Sequence, residues 1–350
     1  MRERGLLALL PLLLCAFGPP RVGDRLGLPM FEVQAAQLRT IRATAMPPLR
    51  ARAAILMDFA SGKVLFEKAA HQRLAPASTT KMMTALLTFE SGQLQAEATV
   101  SALAAGQLGT RMGLQAGQRF AVHDLLYGLL LPSGNDAAVA LAEHGARTVQ
   151  AFVDRMNARG KELGLAETTF VNAHGLDDPR HLSSAYDLAQ LARFALRDEP
   201  LFDQYVSRAH HSIPAGPGHP EVALDNLNQL LGSYPGADGV KTGTTAAAGE
   251  SLVGSATRSG HRLLMVVLGS TDRYADARNV LDSSFAGSVW LRPDVFLPYA
   301  LPVLVRDTAE AVLPAWQAPQ VQAFLDADDL SATFTVVGRE LLKTPLEPLG

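Results

Sequence analysis

The hydrophobic pattern of the chain changes its period along the sequence. Residues 53–68, AAILMDFASGKVLFEK, contain two short apolar runs separated by Ala-Ser-Gly, which predicts a β-hairpin. Residues 123–131 and 135–164 repeat apolar positions at helical spacing and are rich in alanine, and residues 183–196 form a further segment of this kind. The pattern therefore predicts a helical middle after an initial strand pair.

Strand-like patterns return after the helical middle. The runs ESLVGSAT (250–257) and HRLLMVVLGS (261–270) are separated by Arg-Ser-Gly, which is typical of two adjacent antiparallel strands. Strands at both ends of a helical middle indicate an α+β fold with an antiparallel sheet, rather than a parallel βαβ fold. Residues 331–350 predict another strand pair, so we expect a short β-rich C-terminal domain at 287–350.

The N-terminal region differs from the rest in composition. Arg2 and Arg4 precede GLLALLPLLLCAFG, an apolar run that is short and interrupted by proline, which is typical of a secretory signal rather than a membrane span. The residues after it contain proline and arginine without a sustained period, as linkers do. The predicted organisation is a signal peptide at 1–18, a linker at 19–50, a main domain at 51–286 and the C-terminal domain at 287–350.

Composition and charge exclude several classes of function. The chain has 350 residues, of which 48% are hydrophobic and 19% charged, so it can bury a sizeable core. A net charge of -3 gives no general attraction to nucleic acid, and we expect no nucleic-acid partner. Cys15 is the only cysteine, so an internal disulfide and a cysteine-rich metal site are excluded.

Lysine is rare in this chain, and one lysine has an informative neighbour. Only six of the 31 basic residues are lysines, and Lys81 follows Ser78 by three positions in PASTTKMM (76–83), where a helix-like apolar run begins. Residues three apart share a helix face, so we expect the two side chains to meet. A serine hydroxyl becomes nucleophilic when a base takes its proton, and a buried lysine near another cation can be that base. The alternative is a helix-capping serine beside a solvated lysine.

Two later motifs place polar groups at the ends of predicted elements. Residues 133–135, Ser-Gly-Asn, lie in a turn between two helical patterns, where they either face a cleft or cap the second helix. DGVKTGTT (238–245) lies on a predicted strand. Its Lys241 would supply a positive charge, Thr242 a hydroxyl, and Gly243 room for a substrate backbone. The alternative is an edge-strand lysine that discourages aggregation.

The order Ser-x-x-Lys, Ser-x-Asn, Lys-Thr-Gly is the signature of β-lactamases and penicillin-binding proteins. From about Ala53 to Phe285 the chain resembles the serine-type D-alanyl-D-alanine carboxypeptidases, the low-molecular-weight penicillin-binding proteins. The segments that carry the resemblance are AAILMDFASGKVLFEKAAHQRLAPASTTKMMTALL, HDLLYGLLLPSGNDAAVALAE, TTFVNAHGLDDPRHLSSAYDLAQLA and NLNQLLGSYPGADGVKTGTTAAAGESLVGSA. The resemblance implies a β-lactamase/transpeptidase-like fold and makes residues 51–286 a penicillin-binding serine carboxypeptidase domain.

The resemblance also implies acyl transfer on a peptidoglycan stem peptide that ends in D-Ala-D-Ala. Ser78 would attack the penultimate carbonyl with Lys81 as general base, release the last D-Ala, and form an acyl-enzyme that water hydrolyses. Ser133 would relay a proton to the leaving amine, and Asn135 would hold the peptide amide. Backbone N–H groups of Ser78 and Thr244 would form the oxyanion hole. β-Lactams would inhibit by acylating Ser78, and neither a metal nor an organic cofactor is implied.

The resemblance further places the terminal carboxylate of the substrate at the third motif, against Lys241 and Thr242. Some relatives carry an arginine after this motif that helps to bind the carboxylate. Arg273 and Arg278 are both candidates for that role here.

The C-terminal domain of the family is longer than residues 287–350, and no amphipathic helix that would anchor the protein to a membrane surface is visible in this part of the sequence. We therefore expect an exported protein in the periplasmic or extracellular cell-wall space, in loose association with the membrane at most.

Other interpretations of the same residues remain open. A β-lactamase would need a glutamate that activates the deacylating water, yet FVNAHGLDD, and no Glu-x-x-Leu-Asn stretch, lies between the second and third motifs. A zinc peptidase would have to use His174, Asp177, Asp178 and His181, which lack a helical His-x-x-x-His pair. A D,D-endopeptidase and a non-enzymatic cell-wall-binding or penicillin-sensing module are the remaining alternatives, and the intact motifs argue against the last.

Overall fold

The computed structural model describes residues 48–216 and 218–291, together with short strands at 26–28, 303–305, 311–314, 321–326, 331–336 and 339–348. The predicted signal peptide at 1–18 lies outside the described residues. The chain divides into two compact units, Thr44–Ala286 and Met1–Ala43 with Gly287–Gly350.

The strands, in chain order, are β1 (Leu26–Leu28), β2 (Ala53–Asp58), β3 (Val64–Lys68), β4 (Glu97–Thr99), β5 (Arg119–Ala121), β6 (His210–Ile213), β7 (Val222–Asp225), β8 (Ala237–Thr245), β9 (Gly249–Arg258), β10 (His261–Ser270), β11 (Ser288–Leu291), β12 (Val303–Val305), β13 (Ala311–Pro314), β14 (Val321–Asp326), β15 (Ser331–Val336) and β16 (Arg339–Pro348). The helices are α1 (Lys81–Glu90), α2 (Ala102–Ala105), α3 (Val122–Leu130), α4 (Asn135–Ala146), α5 (Val149–Glu162), α6 (Ala185–Asp198), α7 (Pro200–Val206) and α8 (Arg273–Gly287).

The main sheet of the larger unit has five antiparallel strands in the order β3-β2-β10-β9-β8. The predicted hairpin is confirmed as β2 and β3, and the predicted later strand pair is confirmed as β9 and β10. Every residue of β2 is buried, because the strand lies between two others and α6 packs against it. The strand with the Lys-Thr-Gly motif, β8, lies at one edge of the sheet and contacts a 3₁₀ turn at Ala77–Thr80.

Helix α1 lies in the centre of the core of this unit. It contacts α3, α4, α5, α6 and α7, and most of its residues are buried. Burial of Met82, Met83 and Leu86 contributes about 1.5–3 kcal/mol for each side chain. Because this helix has neighbours on several sides, Lys81 in its first turn is enclosed with the apolar residues.

The helical middle differs from the prediction at one point. Residues 135–164 form two helices, α4 and α5, rather than one continuous pattern. Arg147 ends α4 in a left-handed conformation with φ 65°, and the Thr148 hydroxyl caps α5 by accepting a hydrogen bond from Ala151 N. Both helices pack against the same core, so the apolar period continues across the break. The other predicted helices are confirmed as α3 and α6.

The smaller unit contains a sheet in the order β1-β14-β15-β16-β12 and a separate β11-β13 pair. The strand pair predicted near the C-terminus is confirmed as β15 and β16. β1 lies within the segment predicted to be a linker and pairs with β14. The predicted α+β class, with helices on an antiparallel sheet and a β-rich C-terminal segment, is confirmed. Among the residues that the structure describes, no helix is both long and apolar enough to cross a membrane.

Candidate active site

The turn that carries Ser78 forms just before α1 begins. Residues 77–80 make a 3₁₀ turn, and Lys81 is the first residue of the helix. Because a 3₁₀ helix has about three residues per turn, side chains three positions apart are eclipsed. Ser78 Oγ therefore lies 2.9 Å from Lys81 Nζ. The structure brings the two side chains together on a 3₁₀ turn, whereas an α-helical face was predicted.

The Lys81 side chain is fully buried, at 0% exposure, and its amine is surrounded by oxygen atoms. Besides Ser78 Oγ, these are Asn135 Oδ1 at 2.7 Å and the His174 carbonyl at 2.8 Å. Burial, and then the nearby Lys241, hold the pKa of Lys81 well below its usual range, while the Asp136 carboxylate opposes this shift. A lysine amine with a lowered pKa can accept a proton at working pH.

Ser133 presents a buried hydroxyl to the same cleft. Its backbone has φ 65°, and its carbonyl accepts a hydrogen bond from Thr110 Oγ1 at 2.7 Å. Within the described residues Ser133 Oγ has no hydrogen-bond partner, although the residue is 2% exposed. An unpaired buried polar group costs about 1–3 kcal/mol, so this hydroxyl is suited to a partner that enters the cleft.

Asn135 connects the second motif to the lysine. It is the first residue of α4, and its Oδ1 accepts from Lys81 Nζ. Its Nδ2 donates to the Leu108 carbonyl at 2.6 Å. This bond orients the amide so that its oxygen, and not its nitrogen, faces the lysine. The expected role of this amide was to hold a substrate peptide, and the structure shows that it also positions Lys81.

The third motif lies on β8 beside the Ser78 turn. Lys241 is 1% exposed, and burial, followed by the Arg273 guanidinium, lowers its pKa to about 7. At Gly243 an added Cβ would lie 2.9 Å from Ser78 N and 3.0 Å from Ala77 Cβ. The absence of a side chain at this position is therefore required by the approach of β8 to the Ser78 turn, in addition to any requirement of a substrate.

The two candidate arginines lie in different places. Arg273 donates to the Gly243 carbonyl at 2.9 Å and to Thr244 Oγ1 at 2.6 Å, and it lines the cleft. Arg278 donates instead to the carbonyl and hydroxyl of Ser233. The structure therefore brings Arg273, and not Arg278, to the third motif.

These elements enclose a cleft of about 290 Å³. Residues from all three motifs line it, together with Arg273. The lining residues are Ser78, Thr110, Ser133, Leu227, Gln229, Thr242, Gly243, Thr244, Glu250, Arg273 and Tyr274. A serine nucleophile candidate, an unpaired hydroxyl and a cation thus face one space.

Two further residues near the site, Asp136 and His181, were not predicted from the sequence to support it, and His181 was considered only in the zinc alternative. Asp136 is fully buried and accepts hydrogen bonds from a neighbouring loop. His181 Nδ1 accepts from Val171 N, so its Nε2 carries the proton and faces Thr80 Oγ1 at 2.8 Å. This contact supports the turn that carries Ser78. The signal for Asp136 in the sequence was its place directly after the second motif.

The zinc interpretation is not supported by the described part of the chain, where no group of three or more His, Cys, Asp or Glu side chains could hold a metal ion. Both ring nitrogens of His181 are engaged in the contacts given above. Asp178 pairs with Arg180 at 3.0 Å, and Asp177 accepts from Ala247 N at 3.1 Å.

Comparison with known proteins gives the family. Residues 40–272 match the family model described as D-alanyl-D-alanine carboxypeptidase, and the chain belongs to this family. It is 37% identical to D-alanyl-D-alanine carboxypeptidase DacF of Bacillus subtilis, over 67% of this chain and 62% of the relative. It is 42% identical to DacC of Escherichia coli, over 65% of this chain and 58% of the relative. The chain thus spans about three-fifths of the length of these curated relatives.

Solved structures show the same fold. The structure of the D-alanyl-D-alanine carboxypeptidase DacD from Francisella tularensis is similar with a TM-score of 0.73 at 25% identity, covering 92% of this chain and 99% of that one. The Streptomyces K15 DD-transpeptidase is similar with a TM-score of 0.66 at 32% identity, covering 69% of this chain and 100% of that one.

Proposed function

We propose that the protein hydrolyses the terminal D-Ala from peptidoglycan stem peptides through an acyl-enzyme on Ser78, and that penicillins acylate the same serine. The observation that carries the proposal is the surroundings of Lys81 Nζ, which lies 2.9 Å from Ser78 Oγ and also contacts Asn135 Oδ1 and the His174 carbonyl. A neutral amine has two N–H groups and one lone pair. The last two oxygens accept the two N–H groups, which leaves the lone pair for the proton of Ser78.

Acylation then follows from the position of this pair. Lys81 takes the hydroxyl proton while Ser78 Oγ attacks the penultimate carbonyl carbon. Backbone N–H groups of Ser78 and Thr244 would stabilise the oxyanion, and a donor of this kind is worth about 3 kcal/mol. The low pKa of Lys81 supports this role, because a protonated amine would have no lone pair to offer.

The leaving D-Ala needs a proton on its nitrogen and a cation for its carboxylate. Ser133 Oγ, which faces the cleft without a partner among the described residues, can pass a proton from Lys81 to the departing amine. Lys241, Thr242 and Arg273 would bind the carboxylate, so a substrate with a free C-terminus is favoured. Water then attacks the acyl-enzyme with Lys81 again as base, which restores Ser78.

The test is incubation of the purified protein with a stem pentapeptide while free D-Ala is assayed. We expect D-Ala release by the parent protein and none by Ser78→Ala. A pentapeptide that ends in D-Ala-L-Ala is the matched substrate control and should release no amino acid. Absence of release by the parent, or equal release by Ser78→Ala, would contradict the proposal.

Export to the cell-wall space is part of the same proposal, since stem peptides are found there and the N-terminal run is typical of a secretory signal. The mass of the mature protein recovered from cell fractions should correspond to a start between residues 18 and 46. A cytoplasmic protein that retains Met1 would contradict it.

A further inference from the structure

A buried carboxylate follows the second motif and has no part in the steps above. Asp136 is 0% exposed, and its Oδ1 accepts from Met112 N at 2.8 Å. Its Oδ2 accepts from Gly113 N at 2.8 Å and from Leu114 N at 3.0 Å, and Ala137 N also donates to Oδ1 at 2.9 Å. Backbone N–H groups surround both oxygens, and such a set of donors suits the ionised carboxylate, which is an acceptor only.

The loop bound by this carboxylate also holds the second motif. The Leu108 carbonyl accepts from Asn135 Nδ2 at 2.6 Å, and the Thr110 carbonyl accepts from Asn135 N at 2.8 Å. Thr110 Oγ1 donates to the Ser133 carbonyl at 2.7 Å. A shift of this loop would release the amide of Asn135, whose Oδ1 contacts Lys81.

Charged and titratable groups reach Lys81 from several elements. Lys241, on β8, disfavours a second cation, and Asp136, in the first turn of α4, favours one. His174 lies in the loop after α5, and burial, followed by Lys81 and His181, lowers its pKa to about 3, so its ring stays neutral. Asp136 therefore acts against burial and Lys241 in setting the charge of Lys81.

We propose that Asp136 is a positioning residue of the acyl-transfer site. Its carboxylate fixes the loop that orients Asn135 towards Lys81, and it places a negative charge directly beside Asn135, the residue that contacts the Lys81 amine. This inference rests on the proposed function, in which Lys81 is the general base.

Two substitutions separate the charge of Asp136 from its shape. Asp136→Asn keeps the size but removes the charge and replaces one acceptor with a donor that faces backbone N–H groups. Without the negative charge the neutral form of Lys81 is favoured, so its pKa falls and the acid limb of the acylation rate moves to lower pH. Asp136→Glu keeps the charge but is longer by one methylene group. It should lower the acylation rate without moving the acid limb.

Two readouts are taken on each folded variant. The first is the pH dependence of acylation by a fluorescent penicillin. The second is a nuclear magnetic resonance titration of the protein labelled with ¹³C-lysine, which is practicable because the chain has six lysines. The titration reports the charge of Lys81 whether or not the protein is acylated. Loss of the signal in Lys81→Arg gives the assignment.

In Asp136→Asn we expect the titration to give a lower pKa for Lys81, and the acid limb of the acylation rate to lie at a lower pH. In Asp136→Glu both should be unchanged. An unmoved titration in Asp136→Asn, or equal shifts in the two variants, would overturn the inference. If Asp136→Asn does not fold, Asp136→Ser takes its place, because the smaller side chain leaves room for water at the N–H groups. If none of the three variants folds, Asp136 is required for folding, and this result would also overturn the inference. A parent protein that penicillin does not acylate contradicts the proposed function instead, while the titration still decides the role of Asp136.

Discussion

Gly175 is a position where one added methyl group should separate Lys81, the proposed base, from Ser78, the proposed nucleophile. It has φ +91°, and a Cβ built there would overlap the Ala77 carbonyl and lie 2.9 Å from Thr80 Oγ1. Ordinary contact between such atoms is about 3.5 Å, so in Gly175→Ala the two backbones must separate by more than about 1 Å. Ala77 precedes Ser78, and the carbonyl next to Gly175 is the one that holds Lys81. A misplacement of about 1 Å in a reacting pair costs on the order of 100-fold in rate, which is the loss that we expect in acylation.

Gly164→Ala is the matched control for this substitution. Gly164 has φ +73° and nothing within 4 Å of an added Cβ, so it shares the conformational cost without the overlap. That cost is about 1–2 kcal/mol in both variants. Gly164→Ala should therefore lose some thermal stability and acylate at the parent rate. The assay is the rate of acylation by a fluorescent penicillin, together with thermal unfolding of each variant. Equal acylation rates in the two variants would refute the argument from the close approach of the two loops.

Other predictions concern the cation side of the cleft. Arg273→Gln should raise KM for the stem pentapeptide on the order of 10-fold, because Arg273 lies at the third motif. Arg278→Gln is the control and should leave KM unchanged, because Arg278 contacts Ser233 instead. Equal effects of the two substitutions in steady-state assays would contradict the geometry. Because burial and Arg273 lower the pKa of Lys241 to about 7, the cation is lost as the pH rises through that value, so KM should increase above it. Lys241→Arg should remove this rise, because arginine keeps its proton, and a rise that persists in this variant would assign it to another group.

The parts of the site that could be predicted from the sequence are those whose residues lie close together along the chain. Ser78 and Lys81 are three residues apart, and this spacing brings them together on either an α-helix or a 3₁₀ turn. The strands were predictable because β2, β9 and β10 are apolar runs bounded by turn residues. The break between α4 and α5 was not, since Arg147 has no strong preference for the left-handed conformation that ends the helix.

The parts that could not be predicted depend on contacts between distant segments. Asp136 is held by backbone N–H groups of a loop more than twenty residues earlier, and backbone groups leave no mark in the sequence. Arg273 and Arg278 lie five residues apart on α8, which separates their directions by about 140° around the helix. The packing of that helix decides which of them reaches β8, and this packing is not encoded in their spacing.

The central claim is that neutral Lys81 activates Ser78, and a mass measurement of penicillin adducts tests it most directly. The parent protein should gain the mass of one penicillin, and peptide mapping should locate the adduct on Ser78. Folded Ser78→Ala and Lys81→Arg should gain none, because the first lacks the nucleophile and the second replaces the amine with a group that stays protonated. Acylation of Lys81→Arg at the parent rate, or an adduct on another residue, would contradict the account.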